Sequence, residues 1–243
     1  MNKLKGEAVY KGVTFGKIYV LQRQEYEIKE EPIQDVEKEL VRMRLAKEKA
    51  IEELQKLYNK ALTDLGKDDA EIVQVQISML EDEDYWESME DKVKSQHRNA
   101  EYAVWETGAE YAEVFSAIDN KFMKERKLDV QDITSLMLRH LCNFENTDSI
   151  KEPVIIVADD FLLTDILMLD ESKILAFVAV HGSTNPYIAL LAKMVKVPAL
   201  VEVDMDLSTL VSGMEAAVDG FTGEFVQEPD ENTRNAILYH IEE

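Results

Sequence analysis

Hydrophobic positions along the chain keep two different periods, and the changes of period divide the sequence. Residues 1–21 are strand-like. Ala8-Val9-Tyr10 and Lys17-Ile18-Tyr19-Val20-Leu21 lie beside Gly12 and Gly16, which is β-rich text with turn punctuation. From Pro32 the spacing changes to steps of three and four. Ile33, Val36, Leu40, Met43, Ala46 or Lys47, Ala50, Leu54, Leu57 and Ala61 recur with charges between them, and they predict one long amphipathic helix. Gly66-Lys67-Asp68-Asp69 breaks it, and Ile72, Val73, Val75, Ile77, Met79 and Leu80 then form the apolar face of a second helix. The acidic run 81–84 opens a third, carrying Tyr85, Trp86, Met89 and Val93, because carboxylates cap a helix N-terminus and favour its dipole. After Asn99, the series Ala103, Val104, Thr107, Tyr111, Val114, Phe115 and Ile118 predicts a fourth helix with those residues on its apolar side. Val130, Ile133, Leu136, Met137 and Leu141 mark a last one. Residues 32–144 are thus expected to form a helical bundle with short connections.

Beyond Pro153 the text returns to strands. Val154-Ile155-Ile156-Val157 and the run 174–180 are short apolar stretches typical of buried strands. Helical patterns follow them at 162–168 and 186–195, with Ala199-Leu200-Val201-Glu202-Val203 as a further strand. Residues 215–219 and 224–227 flank Gly220 and Gly223 as a closing hairpin. Alternating strand and helix predicts an α/β unit. The first strands are expected to return to it, which makes the helical segment an insert. The expected layout is an α/β unit from 1–21 and 145–229, a helical insert over 32–144, and a helix over 230–243 that either links onward or packs on the surface.

Charge narrows the possible partners. The 243 residues carry 27 Lys plus Arg against 49 Asp plus Glu, a formal net charge of −22, so neither nucleic acid nor an anionic membrane is an expected partner. No apolar run approaches the ~20 residues of a bilayer span, and the N-terminal residues lack the apolar stretch of a signal peptide. A cytoplasmic location is expected. Cys142 is the single cysteine, and its place in an apolar helical pattern reads as core. His97, His140, His181 and His240 lack the clustered spacing of metal ligands, so no metal site is expected.

At 181–201 the string HGSTNPYIALLAKMVKVPALV resembles the phosphohistidine segment of enzyme I, the phosphoenolpyruvate-protein phosphotransferase of the sugar phosphotransferase system. Its pattern is Gly-Gly-x-Thr-Ser-His, a helix ending in Ala-Arg, and a Pro-Ala-Val strand. Three other stretches are similar in the same order: Ser78-Met79-Leu80-Glu81-Asp82-Glu83, then Lys124-Glu125-Arg126 with Asp129-Val130-Gln131-Asp132-Ile133, then Ala158-Asp159-Asp160. The resemblance covers essentially the whole chain. It implies a swivelling phosphohistidine-type α/β domain with an inserted all-helical bundle. The family's C-terminal barrel, with its phosphoenolpyruvate and magnesium, has no counterpart here, so no cofactor is expected in this chain. A monomer is expected without that barrel's dimer contacts.

The same alignment places Gly182 and Ser183 at the two glycines, Thr184 and Asn185 in the phosphate loop, Pro186 at the serine, and Tyr187 at the phospho-acceptor histidine. Ile166 stands where the family has a hydroxyl, Gln131 where it has arginine, and Gln76 where it has histidine. A phenol with a pKa near 10 is a poor acceptor at neutral pH. The resemblance therefore implies a relay scaffold inactive in phosphotransfer, or alternatively a non-catalytic regulatory module with other partners. His181, six residues upstream, is a possible substitute acceptor or simply a polar strand terminator. His97, His140 and His240 read as structural or solvated. The resemblance also implies docking of the basic phosphocarrier HPr on the insert, through Asp68, Asp69, Gln76, Met79, Asp82, Asp84, Tyr85 and Arg126. The same acidic residues are equally readable as solvated helix ends.

Overall fold

The computed structural model describes residues 2–22, 27–143, 150–182 and 186–242. The chain divides into two compact units, one from Met1–Arg23 with Asp148–Glu243, the other Gln24–Thr147. The fold class is α/β with a helical bundle inserted between strands of one sheet.

In the sheet unit, β1 (Asn2–Lys5), β2 (Glu7–Tyr10) and β3 (Val13–Val20) come before the insert. After it come β4 (Val154–Ala158), β5 (Ile174–Ala179), β6 (Ala199–Val201), β7 (Glu215–Asp219) and β8 (Glu224–Gln227). The strand order is β1-β8-β7-β3-β4-β5-β6-β2. β3, β4, β5 and β6 run parallel, and β7 returns antiparallel on β3, so strands from both ends of the chain share one ladder. β1 and β2 close opposite edges although Gly6 alone separates them. Gly6 N–H donates to Gly223 O at 2.9 Å, and a Cβ on Gly6 would stand 2.5 Å from Val201 O. Only glycine lets the coiled sheet bring its edges together there. Gly16 lies inside β3 rather than at a turn; its missing Cβ makes room for Leu175, whose Cδ1 would be 2.4 Å away.

Strand alternation sorts the core. Ile18, Ile155, Val157, Ala176, Val178, Leu200, Ala216, Val218 and Phe225 pack together on one face. Ala217 and Val226, one residue out of phase, pack on the other with Ile237 of α7 (Glu231–Glu242). Arg234 of that helix pairs with Glu215 and lies over Phe15, so the C-terminal helix packs on the sheet. α6 (Pro186–Val195) packs on β2, β5 and β6. The helical turn at 162–168 is a 3-10 segment, Leu163–Met168.

The helical unit contains α1 (Val36–Asp64), α2 (Lys67–Glu81), α3 (Glu83–Lys94), α4 (Ala100–Ala117) and α5 (Lys121–Leu141). Asp35 caps α1 by accepting from Lys38 N at 3.0 Å, and Asp82 caps α3 by accepting from Tyr85 N at 2.8 Å. Gly66, at φ +104°, ends α1 with its N–H on Ala61 O. The break is Leu65 and Gly66 only, and Lys67, Asp68 and Asp69 form the first turn of α2. α5 starts at Lys121, well before its first marked apolar position at Val130. In α4 the buried stripe is Ala100, Ala103, Val104, Thr107, Gly108 and Ala112. Val114 and Ile118, which the spacing put on the apolar side, are exposed. The reason is backbone proximity: a Cβ on Gly108 would stand 2.2 Å from Thr134 Oγ1, so α4 meets α5 along its small residues rather than its large ones.

Candidate functional site

Two regions carry the residues singled out in the sequence, and each belongs to one unit. In the sheet unit, Asp159 follows β4 and His181 follows β5, so both stand at the carboxyl ends of neighbouring parallel strands. The strand ladder continues past both ends. Val180 N–H donates to Ala158 O at 3.1 Å and His181 N–H to Asp159 O at 2.8 Å, which holds the two side chains side by side. His181 Nε2 lies 3.7 Å from Asp159 Oδ1, and both side chains are about two-thirds exposed, 66% and 68%. The chain then turns at Gly182, φ +112°, where a Cβ would stand 3.0 Å from Asp160 Oδ1. The Asp160 carboxylate accepts from Phe161 N–H at 2.7 Å, and Asp165 accepts from Leu162 N–H at 2.8 Å. Ser183, Thr184 and Asn185 lie outside the described residues.

Tyr187 is in the first turn of α6 and is 2% exposed. It ranks among the largest fully buried side chains of the molecule. Its burial follows from helical spacing: Tyr187, Leu190, Leu191 and Met194 stand at i, i+3, i+4 and i+7 and all are buried. That signal is readable in the sequence as a core stripe. Ile166 is buried too.

In the helical unit the expected docking residues separate by depth. Gln76 is fully buried and its Nε2 donates to Asp132 Oδ2 at 2.8 Å, tying α2 to α5. Tyr85 is buried, with its hydroxyl 3.3 Å from Thr134 Oγ1. Burial pushes its phenol up to about 12, against a smaller opposing effect of the Thr134 hydrogen bond. Neither side chain offers surface to a partner. Arg126 donates to Asp129 at 2.5 Å within α5. Asp68, Asp82 and Asp84 are exposed, and Asp69 and Met79 half-buried.

The surface also brings Asp84 together with residues that the sequence reading missed. Asp84, Glu87, Asp91 and Glu110 line a groove of about 570 Å³ formed by residues of α3 and α4. Lys92 lies in its wall, buried, and Nζ donates to Glu110 at 2.8 and 2.9 Å and pairs with Glu106 at 3.2 Å. That cation is consumed within the wall, so the groove's mouth is acidic. On α4 and α5 a second depression of about 270 Å³ is lined by Trp105, Gly108, Ala109, Ala112, Thr134 and Leu138 among others. Trp105 is 44% exposed, Val114 is exposed on the same helix, and Ile118 is exposed just past its end. Glu87 and Asp91 had a legible signal, standing three and seven residues after Asp84 on one helix face, and Glu110 stands four after Glu106. Val114 and Ile118 did not, because their spacing matches that of core residues.

The comparisons agree with this architecture. The family described as "PEP-utilising enzyme, N-terminal" matches residues 5–126, and "PEP-utilising enzyme, mobile domain" matches residues 150–223. The chain belongs to the PEP-utilising enzyme family. Within it, the likeness is to the N-terminal part of enzyme I. The phosphoenolpyruvate-protein phosphotransferase of Bacillus subtilis is 31% identical over 235 residues, covering 96% of this chain and 41% of that relative. The Priestia megaterium phosphotransferase is 30% identical over 236 residues with the same shares. The chain thus spans about two fifths of the length of the curated relatives it matches. A solution structure of an enzyme I protein superposes with a TM-score of 0.72 at 27% identity, covering 98% of both chains. The N-terminal domain of a nitrogen-type enzyme I shares the fold, with a TM-score of 0.68 at 22% identity, covering 99% of this chain and 100% of that one. Among the described residues no helix is long and apolar enough to cross a membrane.

Proposed function

We propose that this chain is an enzyme I-type module of the phosphoenolpyruvate-dependent sugar phosphotransferase system that docks an HPr-type phosphocarrier through its helical unit in the cytoplasm, and that Tyr187 takes no part in phosphoryl transfer. The observation that carries the docking reading is the carboxylate-lined groove of α3 and α4, with Val114 exposed on α4 one turn beyond Glu110. A partner whose contact face is basic around an apolar centre suits that combination, since charge complementarity speeds encounter and apolar contact holds the complex. Asp82 and Asp84 extend the acidic rim, with Asp82 also serving as the α3 cap. Phosphoenolpyruvate and magnesium belong, in this proposal, to a C-terminal barrel of the kind its longer relatives carry.

The burial of Tyr187 argues against acceptance at that position on geometric as well as chemical grounds. A phosphoryl donor has no approach to a side chain that is 2% exposed. It equally favours a second reading, in which the scaffold is a regulatory interaction module with other partners. Titration of an HPr-type carrier into the full chain, followed by calorimetry or NMR, separates the two. Asp84→Lys with Asp91→Lys is expected to weaken binding by about tenfold or more, and wild-type affinity should fall as salt rises. Binding that ignores both the charge reversal and salt, or no binding at high micromolar protein, overturns the docking reading.

A further inference from the structure

We infer that His181, backed by Asp159, is the phosphoryl-accepting imidazole of this chain. The inference rests on the reading of the chain as a phosphotransfer module, but its support is local. Open parallel sheets bind ligands at the carboxyl ends of their strands, and Asp159 and His181 stand at those ends of β4 and β5. A backbone hydrogen bond of 2.8 Å from His181 N–H to Asp159 O fixes their register. The carboxylate oxygen is 3.7 Å from Nε2, and the imidazole is 66% exposed, so a donor can reach it, unlike Tyr187. Gly182, at φ +112°, turns the chain immediately after it.

The tautomer follows from the partner. At 3.7 Å the carboxylate makes no hydrogen bond, but its charge favours the tautomer with the proton on Nε2, which leaves the Nδ1 lone pair as the nucleophile. In transfer from a phosphohistidine carrier, the donor's N–P bond breaks as a bond forms between Nδ1 of His181 and phosphorus. Each ring keeps its proton on its other nitrogen, so no proton is gained or lost and no further reactant is required. Asp159 is a positioning residue in this scheme. Its negative charge also opposes a free phosphate dianion, which favours delivery by a docked carrier that brings its own cations.

The test uses the full chain and two donors. Free potassium phosphoramidate reports on the imidazole alone, and a phosphorylated HPr-type carrier reports on the imidazole together with docking. Tandem mass spectrometry at neutral pH locates the label, and the exposed His97 is the internal comparison. His181 is expected to be labelled at Nδ1 at least about tenfold faster than His97, and His181→Gln to abolish that label. Asp159→Asn should slow labelling of His181 by about tenfold, or move it to Nε2, while leaving His97 unchanged. Labelling of His181 by phosphoramidate, with a carrier that neither binds nor labels the chain, would sustain the acceptor assignment and count against docking of that carrier. A carrier that binds but leaves His181 unlabelled would overturn the assignment while docking stands. Labelling of His181 no faster than His97 with phosphoramidate, or unaffected in rate and position by Asp159→Asn, overturns it as well.

Discussion

Tyr187 and His181 sit six residues apart and have opposite surroundings. One is held inside a helix–sheet interface by its place in the 187, 190, 191, 194 stripe; the other ends a strand in solvent. The difference is a matter of phase along a helix and a strand rather than of residue chemistry. Truncating a buried aromatic removes its transfer free energy and leaves a cavity, so Tyr187→Ala is expected to lower the stability of the sheet unit by about 3–5 kcal/mol. Urea unfolding followed by near-UV circular dichroism checks this. A change below 1 kcal/mol would mean that the ring is not part of the core. The sequence already held that answer, because apolar residues at i, i+3, i+4 and i+7 read as core whatever family position one of them occupies.

Packing between elements adds a measurable pH dependence. His140, on α5, lies beside Glu53 of α1, with Nε2 3.5 Å from Oε1. Arg139 makes an ion pair with the same carboxylate. Burial pushes the imidazole below its ordinary value of 6.5; Glu53 opposes that shift, while Arg139 and Lys49 add to it. As pH falls below about 6.5 the unfolded chain therefore binds the proton first, and stability of the helical unit declines until pH drops below the lowered native pKa. Above 6.5 the ring contributes no slope. His140→Gln is expected to flatten the fall in urea midpoint between pH 7 and pH 5 without changing the midpoint's pH trend above 7. An unchanged acid slope in the variant would assign it to other groups. The α4–α5 contact teaches a related lesson. Gly108 against Thr134 sets which stripe of α4 is buried, and neither residue signals that approach by hydrophobicity.

Across the whole molecule, each unit has its own set of buried side chains. Leu40, Met43, Leu54, Val73, Leu80, Met89, Ile133 and Met137 in the helical unit are at most 3% exposed, and the sheet unit has its separate clusters. A polypeptide of residues 27–143 is thus expected to unfold in one cooperative thermal transition by circular dichroism, with a calorimetric enthalpy equal to its van't Hoff enthalpy. A broad, non-cooperative melt would show that the bundle depends on the sheet unit.

The sequence by itself determined the two hydrophobic periods, the acidic cap run at 81–84, the glycine break at 66 and the acidic balance, because all of these act over a few residues or need only counting. It also held the family likeness. Tertiary structure alone decided the rest. Gln76 and Tyr85 went inside because α2 and α3 meet α5 there, and Val114 and Ile118 stayed outside because α4 presents its small residues to α5. Asp159 and His181 became neighbours because β4 and β5 pair in parallel. Residues 22 positions apart meet only through a ladder of hydrogen bonds, and no local pattern of apolar and polar positions encodes which strand lies beside which.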